Sequence, residues 1–248
     1  MYPYIQFTLP SYSVLAAVGA VVVLIFLFFR TDKFGVQFKD FLAMFVVCAV
    51  LGGIGSRVVF IISRIPWLIT NLSVENVLKT VLGGGFVYYG GLFGVLLGIL
   101  IYCRLMKLHS GPVYNMVAPA IPLFHIFGRI GCFLAGCCHG FLLSAPISIG
   151  GMVIDRFPAQ IVEAGFNLVL FLTMYLLQKK FTKVKWMRVY LISYAAFRFL
   201  IEFTRGDELR GFFFGLSTSQ LISIFVLIGC VISFFLKPKA YPTSATDK

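Results

Sequence analysis

Apolar runs of roughly twenty residues recur along the chain, separated by short charged segments. The hydrocarbon core of a bilayer is about 30 Å thick and a helix rises about 1.5 Å per residue, so a run of this length is what a membrane-crossing helix needs. Seven runs qualify: Tyr12 to Phe29, Phe41 to Ile62, Tyr89 to Cys103, Val113 to Leu134, Ala159 to Leu177, Val189 to Phe203 and Phe214 to Leu236. The third and sixth are short, and neighbouring residues are expected to extend them. Of the 248 residues 60% are hydrophobic and 12% charged, and the apolar character is not confined to one end, so no soluble domain separates from the membrane part. The expected fold is all-α: a polytopic membrane protein with one seven-helix domain over residues 1–236 and a short polar tail over 237–248. The opening residues, MYPYIQFTLPSYSV, lack the charged region and small-residue cleavage site of a secretory signal, so they are expected to stay attached.

The net charge of +12 does not point to nucleic acid, because the lysines cluster in short loops between apolar runs instead of forming one stripe. Alternate loops and the tail carry thirteen basic residues against five on the other side, among them Lys179, Lys180, Lys183 and Lys185 in one loop. The positive-inside rule then places the N-terminus outside and the C-terminus in the cytoplasm. In the second loop, Ser63 to Phe86, the stretch IPWLITNLSVENVLKTVL is expected to form a helix lying at the outer interface, anchored by Trp67.

Three arginines fall inside the runs: Arg57, Arg129 and Arg198. A charged residue near a helix centre costs about 2.5–3.5 kcal/mol on insertion scales, so each should face the bundle interior, water or a partner. With the orientation above, they share the outer half of the membrane with Tyr12, Tyr88, Tyr89, Gln160, Glu163, Glu202 and Gln220. Arg198, Glu202 and Arg205 occupy one helix face, and an Arg198–Glu202 ion pair is the plain structural reading. Arg129 has no acid within a helical turn, which suits a guanidinium waiting for an anionic ligand such as a phosphate. Glycines in GGGFVYYGGLFG, including Gly90 and Gly91, and at Gly128, Gly131, Gly136 and Gly140 allow either close helix packing or close backbone approach to a ligand. These residues describe an anionic-lipid or phosphate site and by themselves supply no reaction.

These residues lie in motifs that follow one another over nearly the whole chain: PSY near the start, the glycine-rich GGGFVYYGGLFG, GRIGCFLAGCCHG, FPAQIVEA and YAAFRFLIEFTRGDE. In that order they resemble the bacterial prolipoprotein diacylglyceryl transferase family. The resemblance implies transfer of the diacylglyceryl group of phosphatidylglycerol to the thiol of a lipobox cysteine in a prolipoprotein signal peptide. A thioether forms and glycerol phosphate leaves. It implies a bacterial cytoplasmic-membrane enzyme with its active site toward the outer leaflet, working among membrane lipids without cofactor or metal. Arg129 first and Arg198 second are expected to stabilise the phosphate charge, with Glu202 holding an arginine and Arg205 assisting at the rim. Tyr12, Arg57, Gly90, Gly91, Gly131, Gln160, Glu163, Tyr194 and Gln220 are expected to line the substrate site.

The chain departs from the family pattern where a base is needed. Tyr89 stands in place of a histidine, and a phenol with a reference pKa near 10 is a poor base at neutral pH. Phe157 replaces a second histidine, while Cys132, Ala135 and Cys137 replace two asparagines and an acid. Cys48, Cys103 and Cys230 lie within apolar runs and are expected only to pack. For Cys132, Cys137 and Cys138 four readings stay open: a thiophilic metal site, although adjacent cysteines and the missing C-x2-C spacing argue against one; a disulfide; a thiol nucleophile or a base at His139; and plain packing. The competing functions are a paralogue with another acceptor and a non-catalytic membrane protein that binds lipid or metal.

Overall fold

The computed structural model describes residues 4–5, 9–83, 85, 87–149, 152–206, 212–213 and 215–235. A two-stranded turn, β1 (Tyr4–Ile5) with β2 (Leu9–Pro10), leads into α1 (Ser11–Phe28), α2 (Phe38–Thr70), α3 (Val74–Leu82), α4 (Tyr88–Leu105), α5 (Ser110–Val117) and α6 (Ala120–Leu134). The antiparallel hairpin β3 (Leu142–Ile149) and β4 (Met152–Arg156) follows, then α7 (Ala159–Leu177), α8 (Trp186–Ile201), the pair β5 (Phe212–Phe213) and β6 (Leu216–Ser217), and α9 (Thr218–Phe235). Six helical segments are long and apolar enough to cross a membrane, with α5 and α6 together making one of them. The protein is therefore a largely helical, polytopic membrane protein. The α8 helix, at 16 residues, is shorter than the others, and the 3-10 turn Glu202–Thr204 prolongs it. The expected tail, 237–248, lies outside the described residues.

Val46, Val50, Ile54, Val58 and Ile62 recur every four positions along α2 and are all exposed, forming a face for lipid instead of for protein. The opposite face packs on α4 with backbones nearly touching. A methyl group on Gly90 would lie 2.9 Å from the Ser56 Cα, and one on Gly94 would lie 2.9 Å from the Gly52 Cα. Without a hydrophobic effect between helices in lipid, such close approach of small residues supplies the contact. The other principal pairings are α1 on α6, α6 on α7 and α8 on α9.

The expected interfacial helix is divided in two. Its first part continues α2, whose 33 residues span about 50 Å, far beyond the roughly 30 Å hydrocarbon core. Pro66 does not end the helix, and the break comes at Asn71–Ser73, where the Ser73 hydroxyl accepts from Asn76 N at 3.1 Å and caps α3. At the other end of α3, Arg57 donates to the carbonyls of Thr80, Val81, Gly83 and Gly85 at 2.5–3.4 Å. Arg57 thus closes a helix C-terminus and is not brought to the polar cluster of the other arginines. The fourth apolar run is also interrupted, at Ala118–Pro119, between α5 and α6. The β3–β4 hairpin is an addition to the expected helical plan.

Opposite ends of the bundle have different chemistry. At one end Arg30 donates to Gln178 at 2.5 Å, Gln178 donates to the Asn115 carbonyl at 2.6 Å, and Asn115 accepts from Trp186 N at 2.9 Å. At the other end, the first turns of α1, α4, α7 and α9 meet the last turns of α6 and α8, and the candidate site lies there.

Candidate active site

The centre of the site is Glu163, fully buried in the second turn of α7. Its carboxylate meets three guanidinium groups from three different segments: Arg129 of α6 at 2.8 Å, Arg205 at 3.1 Å and Arg198 of α8 at 3.5 Å. Arg198 also pairs with Glu202 at 2.7 Å, as its helical spacing predicts, and donates to Ser219 Oγ at 3.2 Å. The reading of Arg129 as a guanidinium with no acid is corrected: its partner stands on the neighbouring helix, where spacing within α6 gives no sign of it. Arg205, expected at the rim, has a side chain only 2% exposed.

Among the described residues, three guanidiniums and two carboxylates gather in this set. A cluster of forked guanidinium donors suits an anion with several oxygens.

An aromatic wall stands beside the arginines. Tyr88 stacks on His125 at 4.1 Å between ring centres, and Tyr194 lies 5.2 Å from Tyr88 and 5.1 Å from His125. Tyr88 and Tyr190 share a hydroxyl–hydroxyl hydrogen bond. The His125 Nε2 accepts from Arg129 Nε at 3.2 Å, so this imidazole orients the arginine. His125 was not among the sequence candidates, although its position one turn before Arg129 is visible in the sequence. The Tyr194 hydroxyl and Gln160 Oε1 are buried with no hydrogen-bond partner among the described residues, which marks them as groups free to meet a ligand.

Tyr89 is held by α9. Ser223 Oγ lies 2.7 Å from the Tyr89 hydroxyl and donates its own proton to the Ser219 carbonyl at 2.8 Å. Tyr89 must therefore donate to Ser223, which commits the phenolic proton to the protein and leaves the oxygen as an acceptor.

The glycines divide by role. Gly90 serves the α2–α4 crossing described above, whereas Gly91 has only ordinary contacts. Gly131 admits α1, since a methyl group there would lie 3.2 Å from the Tyr12 Cα; Tyr12, 46% exposed, stands at the edge of the site. Gln220 accepts from Ser217 N at 3.0 Å while Ser217 Oγ accepts from Gln220 N at 3.2 Å, a reciprocal capping box at the start of α9.

The cysteines converge through a helix-ending motif. Gly136 adopts φ +73, its N–H reaches the Phe133 carbonyl, and Cys137 N reaches the Cys132 carbonyl at 3.1 Å. This is a Schellman ending, in which the residue after the left-handed glycine folds back over the residue five before it. Cys138 is also left-handed, at φ +63, which turns its side chain back toward the same place. The three sulfur atoms lie within 4.8 Å of one another, and all six cysteines are free thiols. The objection that adjacent cysteines diverge thus fails here because of the two positive-φ residues. The Cys137 thiol donates to the Cys132 carbonyl at 3.6 Å.

Two ties fix this loop to the arginines. Gln160 donates to the Cys137 carbonyl at 2.5 Å, and Gly140 bridges to Arg205. A side chain at Gly140 would collide with Phe157, 2.8 Å away. His139 lines a cavity of about 190 Å³ together with Gly136, Asp155, Arg156 and Gln160.

The family model for prolipoprotein diacylglyceryl transferase matches residues 2–236. The chain belongs to this family. It is 34% identical over 227 residues to a phosphatidylglycerol–prolipoprotein diacylglyceryl transferase of Clostridium tetani, covering 88% of this chain and 89% of the relative. A second transferase of that name, from Clostridium perfringens, is 32% identical over 233 residues, covering 90% and 89%. A more distant one from Dehalococcoides mccartyi is 26% identical over 235 residues, covering 91% and 87%.

Proposed function

We propose that the protein transfers the diacylglyceryl group of phosphatidylglycerol to the lipobox cysteine of a prolipoprotein, with glycerol phosphate as the leaving group. The observation that carries this reading is the convergence of the Arg129, Arg198 and Arg205 guanidiniums on the buried Glu163. When the glycerol carbon–oxygen bond breaks, a phosphodiester with one negative charge becomes a monoester with a second. Preorganised guanidiniums stabilise that charge as it develops, without reorganisation. Arg129 and Arg198 are the anion-stabilising residues, Glu163 and His125 orient Arg129, and Tyr194 and Gln160 offer the remaining polar contacts. Tyr12 sits where the lipid or the signal peptide enters.

In this proposal α8 with its 3-10 turn is a seventh span, the N-terminus faces outward, and the site opens to the outer leaflet of a bacterial cytoplasmic membrane. The distribution of basic residues among the loops and the gathering of the site at one end of the bundle support that arrangement.

The test is transfer by purified, reconstituted protein from phosphatidylglycerol to a lipobox peptide, read by mass spectrometry of the thioether. Arg129→Ala should lower turnover by about 10²–10³ in a protein that still folds, the loss typical of removing one preorganised donor. Unchanged turnover removes Arg129 from the mechanism. Lipid transfer that occurs only to a different acceptor identifies a paralogous activity.

A further inference from the structure

We propose that Cys132, Cys137 and Cys138 hold a zinc ion whose fourth position takes the sulfur of the acceptor cysteine. This rests on the transferase reading above and extends it to activation of the nucleophile. Zinc–sulfur bonds of about 2.3 Å in a tetrahedral site require sulfur atoms about 3.8 Å apart. The three thiols already lie within 4.8 Å of one another, so closure on the ion needs movements of about 1 Å or less. Among the described residues no His, Asp or Glu joins the group. Three protein ligands and one open position is the arrangement of a catalytic zinc, whereas structural sites are closed by four.

The surroundings fit such an ion. Cys137 is exposed and the other two thiols are half-buried, so the open position is reachable from outside. Gln160 fixes the Cys137 carbonyl from α7, an outer tie of the kind that orients metal ligands. Zinc with three thiolates carries one net negative charge, and Arg129, one turn before Cys132, together with Arg205, bridged through Gly140, supplies opposite charge.

The chemistry answers the absence of a base. A free thiol has a pKa of about 8.5, and only its thiolate is a good nucleophile. Tyr89 has its proton committed to Ser223. Coordination to zinc deprotonates a thiol outright; the proton passes to solvent, and the zinc-bound sulfur forms a carbon–sulfur bond to the glycerol carbon that carries the phosphate. The carbon–oxygen bond breaks, its electron pair leaves on glycerol phosphate, and nothing is oxidised or reduced. The neutral thioether is a weaker ligand and departs.

The test uses the full chain in detergent, with cobalt(II) as a spectroscopic replacement for zinc. One metal ion per chain is expected, with thiolate-to-cobalt charge-transfer bands and tetrahedral d–d bands. A lipobox peptide should shift the d–d bands, and the same peptide with serine for cysteine should leave them unchanged. Cys132→Ser, Cys137→Ser and Cys138→Ser should each weaken metal binding at least about 100-fold while helix content and monodispersity are kept. Absence of stoichiometric uptake, a disulfide among these cysteines in the isolated protein, or bands indifferent to the cysteine peptide overturns the inference. Transfer measured on the same samples separates it from the reading beneath it. Full turnover by chelated, metal-free protein refutes the zinc role and leaves the transferase standing. Metal and peptide binding without lipid transfer refutes the transferase and leaves the metal site.

Discussion

Glu163→Gln tests the central claim about the site, that one carboxylate holds three guanidiniums together. The substitution preserves shape and removes the negative charge. Two unit charges about 4 Å apart attract by about 4 kcal/mol at an effective dielectric constant near 20. Three such attractions, at nitrogen–oxygen distances of 2.8, 3.1 and 3.5 Å, therefore oppose the mutual repulsion of the arginines. The net cost is smaller than their sum, because the charged pairs also gave up hydration; removing one partner of a buried network costs about 3–5 kcal/mol. For a chain of this length a loss of 1 kcal/mol lowers the melting temperature by roughly 2–4 °C, so a fall of about 6–20 °C is expected. The measurement is intrinsic-fluorescence unfolding of purified protein in detergent, with and without added phosphatidylglycerol. Because the variant has lost one negative charge beside the three arginines, anionic lipid should restore more stability to it than to the parent, and phosphatidylcholine should not. A shift under about 2 °C, or equal rescue by both lipids, refutes the account of Glu163 as the counter-charge.

Gly94→Ala should destabilise the α2–α4 crossing by about 1–3 kcal/mol through forced separation of the helices, whereas Gly128→Ala, with open space around it, should be neutral or slightly stabilising by the same unfolding assay. Arg57→Ala should leave the carbonyls at the end of α3 unpartnered, and hydrogen exchange over Val74–Leu82 should quicken while exchange in α7 stays as it was. Ser217→Ala removes half of the α9 capping box and should cost about 1 kcal/mol, measured as a small fall in melting temperature.

Isolated charges in apolar runs make part of this site readable from the sequence. Arg129 and Arg198 stand out because a charge in lipid demands an explanation, and Arg198–Glu202 follows from one helical turn. Arg57 has the same appearance in the sequence and a different purpose, since the carbonyls it caps belong to α3 and come near only when that helix folds back. Glu163 is visible as a polar residue, yet its three partners lie on other segments, and no local spacing encodes an inter-helix pair. The thiol triad is an intermediate case. A glycine between Cys132 and Cys137 is consistent with a Schellman ending, but the left-handed backbone at Cys138 that brings the third sulfur around is decided by the fold.

By itself the sequence determined that the chain is a helical membrane protein, which residues are too costly to face lipid, and the family whose motifs they complete. Hydrophobic length and the energetic cost of intramembrane charge are local quantities, and local quantities survive in one dimension. Tertiary structure alone decided that Glu163 neutralises Arg129, that Arg57 and Gln220 are caps, and that three thiols and three guanidiniums share one end of the bundle. Those outcomes depend on which helix faces meet, and close contacts at Gly90 and Gly94, with ion pairs at 2.8–3.5 Å, fix that only after the helices have packed.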